Sequence, residues 1–306
     1  MSIHRPVYRT ANIAALLALI VGRTSAQPLD PTFDPNADAE IYTIVAQPDG
    51  KLLVGGNFTT LGGTSRNRIA RRNVDGSADS SFNVSLNGTV RSIALQADGK
   101  IIAGGSFSVA NTTPRSALVR LNAYGSLDST FNPSANATVH ALAVQPDGKI
   151  LVAGLFSNIA GTARTGFARL LADGSVDPAF DVPIAGLLLG TILTVDGLAK
   201  QADGRILFCG NFNAVAGQPR TGIARVLASG VLDLSFTPPT FNSSTRTMIV
   251  LPDGKIFLAG NFSRFTAPAL NYTAQLNADG SLDPSFTPPT LNGSATGAAR
   301  QADGKL

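Results

Sequence analysis

Six positions carry side chains that could do chemistry and that no repeat dictates: Tyr42, Arg91, His140, Asp196, Arg246 and Thr296. Each stands five residues ahead of a recurring glutamine, or of Leu251 in one copy, inside a frame that hardly changes from copy to copy. A position that varies while its surroundings stay uniform is free to meet a partner. Tyr42, Arg91, His140, Asp196 and Arg246 are therefore the candidate ligand-binding residues, and simple solvent exposure is the competing reading. His140 and Asp196 are also the two that could act as base and acid in a hydrolysis or an elimination. No catalytic residue is assigned. His140 is the one histidine besides His4, Glu40 is the lone glutamate, and a His-centred triad lacks a serine motif. For the same reason a His-based metal site is excluded, and neither a metal nor a cofactor is expected.

The other reactive side chains recur with the repeat and read first as structure. Asp30, Asp79, Asp128, Asp177, Asp233 and Asp283 form one series, and further aspartates sit in Asp-Gly turns, where the side chain caps its own backbone two residues on. Calcium is the sharper alternative, but a site wants six to eight oxygen ligands and too few carboxylates are local. Arg71, Arg120, Arg169 and Arg225 recur on one strand, with Gln275 in the fifth copy, and suit a bidentate Arg–Asp pair. Arg66, Arg115, Arg164 and Arg220 recur in the preceding loop, where a similar pair and a basic rim for acidic ligands are both open. Cys209, the only cysteine, lies in an apolar strand where other copies carry Gly or Ala, and reads as a small buried hydrophobe. Asn-X-Thr sequons such as Asn57, Asn111 and Asn271 carry little weight.

The elements that must hold these residues follow from one period. Gly50, Gly99, Gly148, Gly204, Gly254 and Gly304, each in a Gln/Leu-Pro/Ala-Asp-Gly-Lys/Arg turn, are spaced by 49, 49, 56, 50 and 50 residues. Phe33, Phe82, Phe131, Phe180, Phe236 and Phe286 repeat in step. Within 139–180 the pattern predicts a strand from Val139, a hairpin turn at Pro146-Asp147-Gly148, an apolar strand from Lys149, a third strand from Gly166, and a short fourth ending at Phe180. Four antiparallel strands per unit of about 50 residues describe a propeller blade, so an all-β propeller of four-stranded blades is expected. The phenylalanines should fill the space between blades. Five units read as complete and a sixth as truncated at Leu306, with unit four carrying seven extra residues near 181–195 and Ser229 in place of its turn aspartate. Leu29 to Phe33, a free copy of the fourth strand, would complete the last blade of a closed ring.

Composition agrees: 31 glycines, 18 prolines and 44% hydrophobic residues among 306 favour turns and a large core. Residues 1–26 read as a signal peptide, with Arg5 and Arg9, an apolar run from Ile13 to Val21, and Thr24-Ser25-Ala26 before Gln27. That run is too short to span a bilayer, which takes about 20 residues, and no later stretch is long enough. The mature domain is then 27–306, secreted or in the cell envelope. Removing Arg5, Arg9 and Arg23 leaves 21 basic against 20 acidic residues, so nucleic acid is not the expected partner.

The run Gln-Pro-Asp-Gly-Lys, an apolar strand, Gly-Asn-Phe, and the tail Asp279-Gly280-Ser281-Leu282-Asp283-Pro284-Ser285-Phe286 resemble the delta-60 repeat family of bacterial secreted and surface proteins. The resemblance covers residues 29–306 and implies a β-propeller without assigned catalytic residues, often part of a larger extracellular protein. The expected function is a non-catalytic module that binds an extracellular protein or glycan, or acts as a spacer. The alternative is a propeller hydrolase or lyase acting on polysaccharide.

Overall fold

The computed structural model describes residues 36–186, 192–262, 272–300 and 304. The signal-peptide segment, the Leu29–Phe33 copy, the Asn271 sequon and part of the unit-four insertion lie outside the described residues.

Five units repeat one design. An inner strand (Ile41–Ala46, Val90–Leu95, Val139–Val144, Thr194–Lys200, Thr245–Val250) turns at Asp-Gly into a fully buried middle strand (Leu52–Gly56, Ile101–Gly105, Ile150–Gly154, Ile206–Asn211, Ile256–Gly260). The turn glycine is needed because the chain reverses with positive φ there, +81° at Gly148. In the first four units a two-residue hairpin follows, for example Asn158–Ile159 with Thr162–Ala163. The third strand (Ile69–Arg72, Leu118–Leu121, Phe167–Leu170, Ile223–Val226, Thr273–Leu276) then pairs with the middle strand.

Each of these sheets has three strands, where the sequence pattern leads one to expect four. The fourth segment touches the third through a single bridge, Arg72 with Ala78, Leu121 with Leu127, Leu170 with Val176, Val226 with Leu232 and Leu276 with Leu282. The reason is the recurring aspartate. Asp79 N–H still donates to the Arg71 carbonyl at 2.9 Å, but its carboxylate then caps Ser81 N at 2.9 Å and its carbonyl accepts from Phe82 N at 3.3 Å. Those bonds curl the backbone off the sheet, and the same geometry returns at Asp128, Asp177, Asp233 and Asp283.

Curling delivers the phenylalanine to the next unit. Phe82, Phe131, Phe180 and Phe236 are fully buried, each under a turn glycine of the following unit; a Cβ added to Gly125 would come 2.9 Å from the Phe82 ring. Over each ring lies the third-strand arginine. Arg120 sits 4.3 Å from the Phe131 centroid, donates from Nε to Asp128 at 2.9 Å and from Nη1 to the Ala172 carbonyl of the next unit at 2.5 Å. Arg71, Arg169 and Arg225 repeat this clasp. The Arg–Asp pair is thus monodentate rather than bidentate, because the second nitrogen is used to tie neighbouring units. In unit five Gln275 keeps the aspartate bond, to Asp283 at 2.8 Å.

Most of the apolar core lies between consecutive units, as with Leu53 and Ile69 of the first against Ile93, Ile101 and Ala103 of the second, while Val54, Phe58, Leu61 and Ala70 cluster within the first. Consecutive inner strands therefore stand side by side, and among the described residues no comparable packing joins the last to the first. In unit four the polar turn of units one, two and five, Asn122 Nδ2 to Ser126 Oγ for instance, is replaced by exposed Leu227 and Val231, with Leu234 exposed beside them. Among the described residues no helix is long and apolar enough to cross a membrane.

Candidate functional site

The five candidate residues share a backbone feature that periodicity does not reveal. In every unit the pairing of inner and middle strand slips by one residue at the same place: between Ile41 and Thr43, Val90 and Ser92, Val139 and Ala141, Val195 and Gly197, Thr245 and Thr247. The unpaired residue of each bulge is Tyr42, Arg91, His140, Asp196 or Arg246. A bulge re-aims its extra side chain, so these residues form a row at one end of five adjacent inner strands. Opposite each bulge lies a glycine of the middle strand, forced by close backbone approach. A Cβ on Gly105 would fall 1.9 Å from the Thr89 carbonyl oxygen, and one on Gly154 would fall 2.2 Å from that of Thr138.

Just below the row, cross-strand pairs trade bulk. Thr43 faces Gly55, Ser92 faces Gly104, Ala141 faces Ala153, Gly197 faces Cys209 and Thr247 faces Ala259. A Cβ on Gly197 would lie 2.8 Å from Cys209 Sγ, so the cysteine occupies the space its partner lacks. It is wholly buried, and burial, then the charge of Asp196, push its thiol well above the ordinary range. The reading of Cys209 as a small interior hydrophobe holds.

Within the row, neighbours pair. His140 Nδ1 lies 2.7 Å from Asp196 Oδ1, and Thr194 Oγ1 donates to Asp196 Oδ2 at 3.0 Å. With Nδ1 protonated, Nε2 keeps its lone pair and can accept a proton. Both side chains are mostly covered, 16% and 19% exposed. Arg91 places its guanidinium 5.1 Å from the ring centroid of Tyr42. Arg91 and Arg246 are exposed and, among the described residues, neither forms an ion pair. Thr296, at the equivalent position of the last unit, is exposed outside any strand. Sequence reasoning missed Thr194, which orients Asp196; the one available signal was its place two residues before a varying position.

The recurring aspartates are absorbed by the clasp. Burial alone would raise the Asp79 and Asp128 carboxyls, but bonds from Lys51, Ser81 and Arg71, and from Thr130, Lys100 and Arg120, outweigh it and hold both well below the usual range. The loop arginines do not stand out as a rim. Arg66, Arg115, Arg164 and Arg220 fold back so that Nη1 donates to the carbonyl of the preceding residue, at 2.7–2.9 Å.

Five segments, 47–82, 96–131, 145–180, 201–236 and 251–286, match the family model described as a domain of unknown function (DUF5122), beta-propeller. Among solved structures the chain is similar to a catalytically inactive virginiamycin B lyase from Staphylococcus aureus with quinupristin, at 18% identity and a TM-score of 0.53, over 84% of this chain and 73% of that one. It is also similar to a streptogramin B lyase, at 13% identity and a TM-score of 0.54, over 88% of this chain and 76% of that one. At these identities the likeness is one of fold. No curated protein matches the chain.

Proposed function

The chain belongs to the DUF5122 β-propeller family, and from that premise we propose that it is an exported binding module whose ligand face is the bulge row. The observation that carries this reading is the coincidence of five bulges with the five positions at which an otherwise uniform repeat varies. A bulge gives up one ladder pairing per unit and frees one side chain from the ladder; it is exposed at Tyr42, Arg91 and Arg246 and mostly covered in the His140–Asp196 pair. The ligand is an extracellular protein or glycan. The delta-60 type is assigned on the Asp279 to Phe286 tail, export on residues 1–26, and the single bridge in each unit is read as the remnant of a fourth strand.

The test is a glycan array and an envelope-protein overlay with the wild type, Arg91→Ala and Arg246→Ala. Both variants should lose binding and keep the wild-type melting temperature, because exposed substitutions move stability by only about 0.5 kcal/mol. Variants that lose stability as Phe131→Ala does, with binding intact, would show the row to be structural. Mass spectrometry of exported protein should find an N-terminus near Gln27.

One observation favours a second reading, a polysaccharide lyase or hydrolase. His140 and Asp196, 56 residues apart in sequence, meet at 2.7 Å through Nδ1, and the similar Staphylococcus lyase is catalytically inactive with one histidine changed to alanine. Turnover of extracellular polysaccharides that disappears in His140→Ala would establish it. Binding without turnover leaves the first reading in place.

A further inference from the structure

Resting on the bulge row as the ligand face, we infer that its ligand is an acidic polysaccharide, a sugar chain carrying carboxylates. The row holds one negative charge of its own, and that charge is already engaged: Asp196 accepts from Thr194 Oγ1 at 3.0 Å and lies 2.7 Å from His140 Nδ1. The two positive charges are not. Arg91 and Arg246 are exposed, on the second and fifth inner strands, and among the described residues neither meets a carboxylate. Of the nearby acids on unit one, Asp38 is held by Thr59 and Thr60, and exposed Glu40 lies 3.5 Å from Asn57 Nδ2.

The geometry selects among anions. Arg91 and Arg246 stand on the second and fifth of five adjacent inner strands, a placement that suits two anionic groups on one extended chain. Each guanidinium offers parallel N–H donors that match a carboxylate. Between them lie the His140–Asp196 pair and Thr194, donors and acceptors suited to sugar hydroxyls, and beyond Arg91 lies Tyr42, 46% exposed. Arg91 stacked on Tyr42 is held in place, which lowers the ordering cost of binding.

The experiment uses polygalacturonate and the same polymer fully methyl-esterified, each immobilised, with the full chain as analyte. The wild type should bind the acidic polymer, at least tenfold more tightly than the ester, and should weaken steeply with salt. Arg91→Ala/Arg246→Ala should lose at least tenfold toward the acidic polymer at an unchanged melting temperature, and Arg91→Lys/Arg246→Lys should recover part of the loss. Equal binding to the ester, with the double alanine variant still defective, would overturn the acidic class and leave the ligand face standing. Binding to the acidic polymer that the double alanine variant retains would overturn the face as well. Failure to bind either polymer at low salt would overturn the acidic class alone, since the array with the single variants tests the face independently.

Discussion

Replacing Arg120 by glutamine, the residue that unit five already carries at Gln275, removes one half of a clasp and keeps the other. The bond to Asp128 survives, as it does between Gln275 and Asp283 at 2.8 Å. What disappears is the 2.5 Å bond from Nη1 to the Ala172 carbonyl of the next unit and the guanidinium 4.3 Å from the Phe131 centroid. A hydrogen bond from a charged donor contributes about 1.5–3 kcal/mol and a largely desolvated cation–π contact about 0.5–2, so Arg120→Gln should cost about 2–5 kcal/mol. For a domain of this size that lowers the melting temperature by on the order of 10 °C. Asp128→Ala should cost more, at the upper end of about 3–5 kcal/mol, because it strands a buried arginine and also drops the bonds from Lys100 and Thr130. Thermal and urea unfolding of the three proteins at neutral pH measure both. Should Arg120→Gln cost under about 1 kcal/mol, or as much as Asp128→Ala, the two halves of the clasp do not contribute separately and the reasoning fails.

Acid should act through the same clasps. The Asp79 and Asp128 carboxyls lie below their unfolded value of about 3.9, as does that of Asp283, held down chiefly by Lys255. Their contribution is complete above that value and is lost as protons bind, so melting temperature should fall progressively from about pH 5 downward; a flat profile to pH 2 would refute it. Gly105→Ala should cost about 3 kcal/mol or more, since the new Cβ would meet the Thr89 carbonyl oxygen at 1.9 Å. Gly293→Ala, with nothing within 4 Å, should be neutral in the same unfolding assay. Cys209 should resist a thiol-reactive dye at neutral pH until denaturant unfolds the chain, because burial suppresses its thiolate; rapid native labelling would contradict this.

Much of this molecule is local chemistry repeated, and that part is legible in the chain. A glycine that must take positive φ, such as Gly148, and an aromatic that must fill a seam, such as Phe131, mark the units wherever they occur. Recurrence also separated the aspartates that build the frame from the positions that vary. The rest depends on what one strand does against another. Asp79 reads as part of a fourth strand, and only its bonds to Ser81 and Phe82 show that it ends one. Arg71 reads as a partner for Asp79 alone, while its other nitrogen finds a carbonyl 52 residues away. The bulges at Tyr42, Arg91, His140, Asp196 and Arg246 are defined by the register of the facing strand, so no inspection of the inner strand by itself could find them. His140 and Asp196 stand in different units, and only the side-by-side packing of inner strands turns two varying positions into a hydrogen-bonded pair.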